Sequence, residues 1–264
     1  MAAGLLAVFV VLLCAIVLAA QSPIWPETGN KTLKKSGTVI DITHADQGYI
    51  MVKQEKASGD LKLRVEKGKN TLTYDLNSNG NWEVFPLQLG EGKYKVSVFK
   101  RKSGKKYASV SSQTFTVSSF SPEEACFLGP NQYVNYTQST KAVAKAAEIC
   151  GGLSSDSEKL EAVSKFVLKT LQYDYILALN VSTGYLPDLD AVLDGGKGIC
   201  FDYAALTACM LRSQGIPTQL CIGYADKVYH AWNMVLIDGE WKRIDLTAES
   251  TATKVKKYSL ERYY

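Results

Sequence analysis

Hydrophobic and polar positions follow two different periods along the chain, and the change comes near residue 120. Between Thr38 and Val117, short alternating runs are separated by Gly, Asn and Ser. About seven runs at spacings of roughly 8–12 residues predict an all-β sandwich. The predicted strands lie at residues 49–54, 61–65, 71–76, 82–89, 94–100 and 107–117.

From Ser121 onward, apolar residues recur at helical spacing. Ser155 and Glu158 have the spacing of a capping box, and an apolar stripe follows them. Helices are predicted over residues 140–150, after residue 155 and over 200–213, the last being closed by Gly215 and Pro217. Strand patterns follow over residues 218–224, 228–237 and 241–246. Helices followed by antiparallel strands predict an α+β domain.

The dipeptide Asp238-Gly239 is a strong signal for a two-residue hairpin turn. With these two residues in the loop, Ile237 lies opposite Glu240, and the same register places Trp232 opposite Asp245. Positions two apart share a face of the sheet, so His230 and Asp245 are diagonal neighbours on one face. We therefore expect a hydrogen bond between the imidazole and the carboxylate.

Cys200 stands at the predicted start of a helix, behind Gly195, Gly196 and Gly198. The positive end of the helix dipole and a nearby imidazolium both favour a thiolate at such a position. Glycines before it leave room for a substrate carbonyl, and the backbone N–H of Cys200 could stabilise an oxyanion. Cys200, His230 and Asp245 would thus form a nucleophile, a base and an acid that orients the base.

Composition narrows the class of partner. The chain has 264 residues, 46% of them hydrophobic, and its net charge is +4. So small a charge does not indicate nucleic-acid binding, and we interpret the basic stretch 100–106 as a solvated hairpin tip. With two histidines and no C-x-x-C pair, a zinc site is not expected, nor does any loop resemble a calcium site. No metal or other cofactor is predicted.

Residues 2–20 carry no charge and are nearly all apolar, which is typical of a signal peptide or of a marginal membrane span. Both alternatives predict export, and export would permit disulfides. Five cysteines follow the segment, so at least one thiol stays free unless it pairs between chains. Cys126 with Cys150, and Cys209 with Cys221, are two of the pairings that the sequence leaves open.

The segments GKGICFDYAALTACMLRSQGIPTQLCIGY and HAWNMVLIDGEWKRIDLT carry a series of motif elements: G-x-C-x-D-x-A, R-x-x-G-I-P, G-Y, H-A-W-N and W-x-x-x-D-x-T. In this order they resemble the transglutaminase-like superfamily over residues 155–247. The resemblance implies a papain-like core with Cys200 as nucleophile, His230 as base and Asp245 as orienting acid. Leu246 departs from it, since many members have proline there.

The resemblance leaves other positions less defined. No tryptophan upstream of Cys200 matches the second oxyanion donor of true transglutaminases, so we consider Tyr173 for that role and Trp232 as a possible contact. Asp202, in the first turn of the helix, is interpreted as a capping and dipole residue. Cys209 and Cys221, among apolar neighbours, are interpreted as core.

The predicted fold is α+β: an Ig-like β-sandwich over residues 31–120 and a papain-like transglutaminase core over 121–264, behind a signal peptide or anchor at 1–20. The predicted reaction is acyl transfer from a peptide or glutamine-type amide through a Cys200 thioester, with hydrolysis favoured over cross-linking. A non-catalytic adhesion protein is the alternative. The resemblance also implies a bacterial extracellular or cell-surface protein whose partner is a protein or peptide, with membrane contact only through the N-terminus.

Overall fold

The computed structural model describes residues 21–120 and 124–264, and the predicted leader at residues 1–20 lies outside them. The first half of the described chain consists of eight strands. They are β1 (Thr32–Lys35), β2 (Thr38–Asp41), β3 (Tyr49–Gln54), β4 (Leu61–Lys67), β5 (Asn70–Leu76), β6 (Glu83–Pro86), β7 (Gly92–Ser103) and β8 (Lys106–Val117).

These strands form two four-stranded antiparallel sheets, in the orders β1-β2-β3-β6 and β5-β4-β7-β8. Alternate side chains of both sheets turn inward, because a strand points successive side chains to opposite faces. Ile50 and Phe85 from one sheet and Leu63 and Tyr94 from the other are fully buried. The predicted sandwich is confirmed. The predicted ranges include neither β1 nor β2, and no side chain of β1 is fully buried.

The second half contains six helices and a further six strands. The helices are α1 (Lys141–Cys150), α2 (Asp156–Thr170), α3 (Tyr175–Asn180), α4 (Leu189–Gly195), α5 (Cys200–Arg212) and α6 (Leu246–Ser250). The strands are β9 (Gln172–Tyr173), β10 (Lys197–Gly198), β11 (Thr218–Ala225), β12 (Val228–Ile237), β13 (Glu240–Ile244) and β14 (Tyr258–Tyr263).

The antiparallel sheet of this half has the order β13-β12-β11-β14, and α5 packs against β11 and β12. The predicted capping box is present, with the Ser155 hydroxyl accepting from the Glu158 N–H and the Glu158 carboxylate accepting from the Ser155 N–H. Helices and sheet together make the α+β domain that the sequence predicts. The predicted limits of the two domains, 31–120 and 121–264, stay predictions.

Aromatic residues connect the two halves. Tyr74 of β5 contacts both Tyr133 and Tyr264, with ring centroids 6.0 and 5.8 Å away. Tyr264 in turn stacks on Tyr133 at 3.8 Å. The Gln88 side-chain amide also donates to the carbonyl oxygen of Tyr263. The end of β14 is therefore packed against the sandwich.

Three further features concern the described residues alone. Their five cysteines, Cys126, Cys150, Cys200, Cys209 and Cys221, are all free thiols, so neither of the two pairings considered is present. Within 21–120 and 124–264, no helix has the length and apolarity needed to cross a membrane. The same residues contain no group of His, Cys, Asp and Glu able to hold a metal ion.

Candidate active site

Cys200 is the first residue of α5, and short pairings fix the backbone that leads into it. β10 pairs in parallel with β9, so Gly198 lies beside Tyr173. The Asp174 N–H donates to the Gly198 carbonyl at 3.0 Å. Because the first N–H groups of a helix have no acceptor within it, the N–H of Cys200 is available to a ligand. The Cys200 side chain is partly exposed, so a substrate can reach it.

Asp202 holds the first turn of α5 in place. Its Oδ2 accepts the Ile199 N–H at 2.8 Å, and its Oδ1 accepts the Tyr185 hydroxyl at 2.6 Å. Burial raises the pKa of this carboxyl, opposed by the hydrogen bonds from Tyr185 and Ile199. A Cβ placed on Gly198 would stand 2.6 Å from the Asp202 Cβ, closer than two such atoms can approach. Asp202 is thus a capping residue, as interpreted from the sequence, and it requires glycine at position 198.

His230 lies in β12, and the hairpin after it has the predicted register. Ile237 pairs with Glu240, and the ladder runs on to Asn233 and Ile244. His230 Nε2 and Asp245 Oδ2 are 2.8 Å apart, so the predicted hydrogen bond is present. The predicted strand to residue 246 is too long, because Asp245 caps α6 by accepting the Ala248 N–H on Oδ1 at 3.0 Å.

The protonation of His230 and Asp245 is set by their mutual contact. Burial would lower the pKa of His230, but hydrogen bonds to Asp245 and to the Cys200 thiol outweigh it and raise that pKa to about 9. Burial acts to raise the pKa of Asp245, and the hydrogen bonds from His230, Ala248 and Tyr258 bring it below its ordinary value. Since Nε2 is bonded to Asp245, the imidazole has Nδ1 left for Cys200.

Tyr258 is a further member of the site that the sequence analysis missed. Its hydroxyl donates to Asp245 Oδ2 at 2.8 Å, the same oxygen that His230 contacts. The Tyr258 ring lies edge-on to Trp232 at 5.1 Å, and the Arg243 guanidinium stands over it at 4.1 Å. β14 brings Tyr258 to the site by pairing it with Ala225 of β11. No local pattern in the sequence signals this long-range pairing.

The two residues considered as substrate or oxyanion contacts also lie at the site. Trp232 is 3% exposed and stacks on His230, with ring centroids 6.4 Å apart and planes inclined by 20°. Tyr173 pairs with Gly198, two residues before Cys200, and burial together with the charge of a Cys200 thiolate raises the pKa of its phenol. Cys200, His230, Asp245, Tyr173 and Trp232 thus gather in one place, and their catalytic roles stay predictions.

Residues 143–246 match the family model of the transglutaminase-like superfamily. This part of the chain is a transglutaminase-like domain. The match takes in Cys200, His230 and Asp245, and it leaves out the β-sandwich and β14 with Tyr258. No curated protein matches the sequence.

Three solved structures are similar to parts of the chain. One is described as a TGase, with 26% identity over 44% of this chain and 32% of its own, and a TM-score of 0.36. A candidate cysteine protease from Cytophaga hutchinsonii has 14% identity over 82% of this chain and 86% of its own, with a TM-score of 0.42. A candidate protease from Parabacteroides distasonis has 18% identity over 59% of this chain and 37% of its own, with a TM-score of 0.37. The chain thus spans about a third of the TGase.

Proposed function

We propose that this protein is a thiol-dependent acyl-transfer enzyme acting on peptide or glutamine-type amides. The observation that carries the proposal is the hydrogen bond of 2.8 Å between His230 Nε2 and Asp245 Oδ2, next to the Cys200 thiol that helps to raise the pKa of His230. In this proposal Cys200 is the nucleophile, His230 exchanges the proton and Asp245 orients the imidazole. A transglutaminase-like domain in residues 143–246 supports that assignment.

In the first half of the reaction, the Cys200 sulfur attacks the amide carbon, and the carbonyl electrons move to oxygen. The N–H of Cys200 donates to that oxyanion, because the start of α5 leaves it without an acceptor in the helix. His230 gives its proton to the amide nitrogen, the C–N bond breaks, and ammonia or an amine leaves. The product is a thioester on Cys200.

In the second half, His230 accepts a proton from the nucleophile that attacks the thioester carbon. Water yields a free acid, whereas a lysine amine yields a cross-link, and both products restore the Cys200 thiol. We favour water. Preferring an amine over water at about 55 M needs a dry channel that holds the amine in place.

The placement of the four tryptophans supports hydrolysis. Trp232 lies buried against His230, where it supports the ring and cannot wall a channel. Trp25 packs on Tyr136, Trp82 lies under Lys53, and Trp241 packs on Phe127. None of these three has a ring contact with Tyr173, Trp232 or Tyr258, the aromatic residues described at the candidate site.

A glutamine peptide incubated with millimolar cadaverine tests both parts of the proposal by mass spectrometry. We expect wild-type protein to yield mostly deamidated or cleaved peptide, and Cys200→Ala to yield nothing. Cys209→Ala, altered in the same helix, is the matched control and should behave as wild type. A dominant cadaverine adduct would establish cross-linking instead.

A non-catalytic adhesion protein is the second candidate, and it has a distinct outcome. If wild-type and Cys200→Ala proteins both leave every peptide intact yet retain the same ligands from a peptide array, the domain is a binder. The juxtaposition of Cys200, His230 and Asp245 favours the enzyme, because a binding surface has no need of all three groups.

We also propose that the protein is exported and acts on proteins or peptides outside the cell, at the surface or in solution. The apolar run at residues 2–20 supports this proposal. N-terminal sequencing of protein recovered from the medium and from the membrane fraction tests it. A chain beginning at Gln21 in the medium indicates a cleaved signal peptide, an intact chain in the membrane indicates an anchor, and an intact chain in the cytosol contradicts export.

A further inference from the structure

Large apolar side chains that are exposed occur in two groups within the described residues, and both groups belong to the second half of the chain. None of them lies in the β-sandwich between residues 21 and 120. The first group, called patch A, is Tyr175, Ile176, Leu179, Val181 and Leu186. The second group, called patch B, is Tyr224, Val228, Tyr229 and Leu260.

Patch A is attached at both of its ends to the backbone around Cys200. Before it, the Asp174 N–H donates to the Gly198 carbonyl at 3.0 Å. After its first four members, the Tyr185 hydroxyl donates to Asp202 at 2.6 Å. The helix α3 between these tethers buries none of its residues, and its Ile176 and Leu179 are 78% and 87% exposed. An exposed apolar helix is thus held next to the backbone segment that carries Cys200.

Two members of patch B, Val228 and Leu260, lie on the same face of the sheet as His230. Val228 comes two residues before His230 in β12, whereas Tyr224 and Tyr229 pair with each other on the opposite face, with ring centroids 5.5 Å apart. Gly223 of β11 pairs with His230 on one side and with Leu260 of β14 on the other. Patch A therefore continues the candidate site outward from the Cys200 segment, and Val228 and Leu260 of patch B continue it from His230.

The charges near patch A restrict the kind of segment that can bind there. Between Lys169 and Lys197 the chain contains four aspartates, Asp174, Asp188, Asp190 and Asp194, and no lysine, arginine or glutamate. Asp194 is paired with Lys141 at 2.5 Å, which leaves the other three as negative charges without an ion pair among the described residues. An acidic segment placed against patch A would meet like charge. An apolar segment, neutral or basic at its ends, complements both the exposed side chains and this charge.

We infer that patch A, together with Val228 and Leu260 of patch B, binds the substrate, a polypeptide segment with a large apolar side chain on each side of the reactive amide and no acidic residue on the Cys200 side. This inference rests on the proposed function, because the thiol defines what must lie between the patches. Contiguous exposed apolar surface marks an interaction site, and continuity with Cys200 and His230 identifies the occupant as the substrate. Burying one such side chain supplies about tenfold in affinity.

Binding to the Cys200→Ala protein tests the inference without any turnover. Fluorescent glutamine peptides with leucine, serine or aspartate on both sides of the glutamine are compared by polarisation. We expect the leucine peptide to bind at least about tenfold more tightly than the serine peptide, and the aspartate peptide to bind most weakly. Leu179→Ser added to Cys200→Ala should remove the advantage of leucine, whereas Leu179→Met should retain it.

Equal affinity for all three peptides, or a leucine preference that survives Leu179→Ser, would overturn the inference. Sedimentation provides the second decisive measurement. A dimer of the Cys200→Ala protein that Leu179→Ser converts to monomer would identify patch A as a self-interface and also overturn it. Failure of the proposed function is distinguishable, because it would leave the leucine peptide bound tightly but intact in the wild-type protein.

Discussion

Two cysteines in one helix have opposite surroundings. Cys200 begins α5, is partly exposed and contacts His230. Cys209 lies in the same helix, is fully buried among apolar side chains, and has its pKa raised by that burial. The difference shows that place in the fold, more than residue type, decides whether a thiol can react. A helix start leaves backbone N–H groups free, while the helix interior leaves none.

Replacing each cysteine by alanine should give the largest difference between the two: one variant loses activity and the other loses stability. Cys200→Ala removes the nucleophile, so we expect the rate of amide cleavage to fall by about 10⁶-fold. Cys209→Ala only removes a sulfur from the core, so it should destabilise the fold and leave the rate per folded molecule unchanged. Peptide cleavage and thermal unfolding measure the two effects. Equal loss of rate in both variants would show that Cys200 has no special role.

Asp245→Asn should lower the reaction rate of Cys200, because it changes the group that His230 contacts. The amide cannot stabilise the imidazolium as the carboxylate does, so we expect the rate to fall by about 10⁴-fold while the fold is retained. The pKa of His230 should fall below the value of about 9 that the carboxylate supports. The pH profile of residual activity and circular dichroism check both points. An unchanged pKa of His230 would contradict the role given to Asp245.

The rates at which the thiols are alkylated should follow their burial, with the partly exposed Cys200 reacting first. Burial raises the pKa of Cys126 and of Cys221 to about 12, which lowers the thiolate fraction of each about a thousandfold relative to a thiol with a pKa of 9.0. Limiting iodoacetamide at neutral pH should therefore label Cys200 first. Peptide mapping by mass spectrometry identifies the labelled residue. First labelling of Cys126, Cys150, Cys209 or Cys221 would contradict the ranking.

Raising the pH should remove the imidazolium that Cys200 depends on. The folded pKa of His230, about 9, exceeds its ordinary value of 6.5, so protonation favours the folded state. This stabilisation is complete below pH 6.5 and is lost as the pH rises through about 9, and the rate should fall over the same range. The chain has two histidines, so NMR titration of wild type and of His44→Gln assigns both. A titration of His230 near 6.5 would be inconsistent with the contacts described.

Tyr258→Phe should have the smallest effect. Asp245 keeps the Ala248 N–H on Oδ1, so its orientation is retained, while Oδ2 loses one of its two donors. The freed charge should raise the pKa of His230 slightly and change the rate by about fivefold, the equivalent of one hydrogen bond of about 1 kcal/mol. NMR titration of His230 and the pH profile measure it. A lowered pKa would mean that Tyr258 is needed to hold Asp245 in place.

Local signals in the sequence predicted the parts of the site that local geometry determines. The Asp238-Gly239 turn determines the hairpin register, and that register brings His230 to Asp245. The start of α5 at Cys200 follows from its position between glycines and an apolar helical run. Tyr258 could not be predicted, because its place depends on β14 pairing with β11 across more than 30 residues of chain. The short helix α3 was missed because it has no buried face to give it a period.

Because Gly198 and Asp202 are in steric contact, the G-x-C-x-D motif contains two kinds of residue: two that the fold requires and one that the chemistry requires. Glycine and aspartate satisfy each other, since the buried carboxylate occupies the space that a side chain at position 198 would need. Of the three residues that the motif specifies, Cys200 is the one that takes no part in that contact. A descendant of this protein could therefore exchange Cys200 for serine or alanine and still inherit the fold, while losing glycine or aspartate would cost it the architecture first. Among homologues, the outer two letters of the motif should trace ancestry, and the middle letter should trace whether the chemistry has survived.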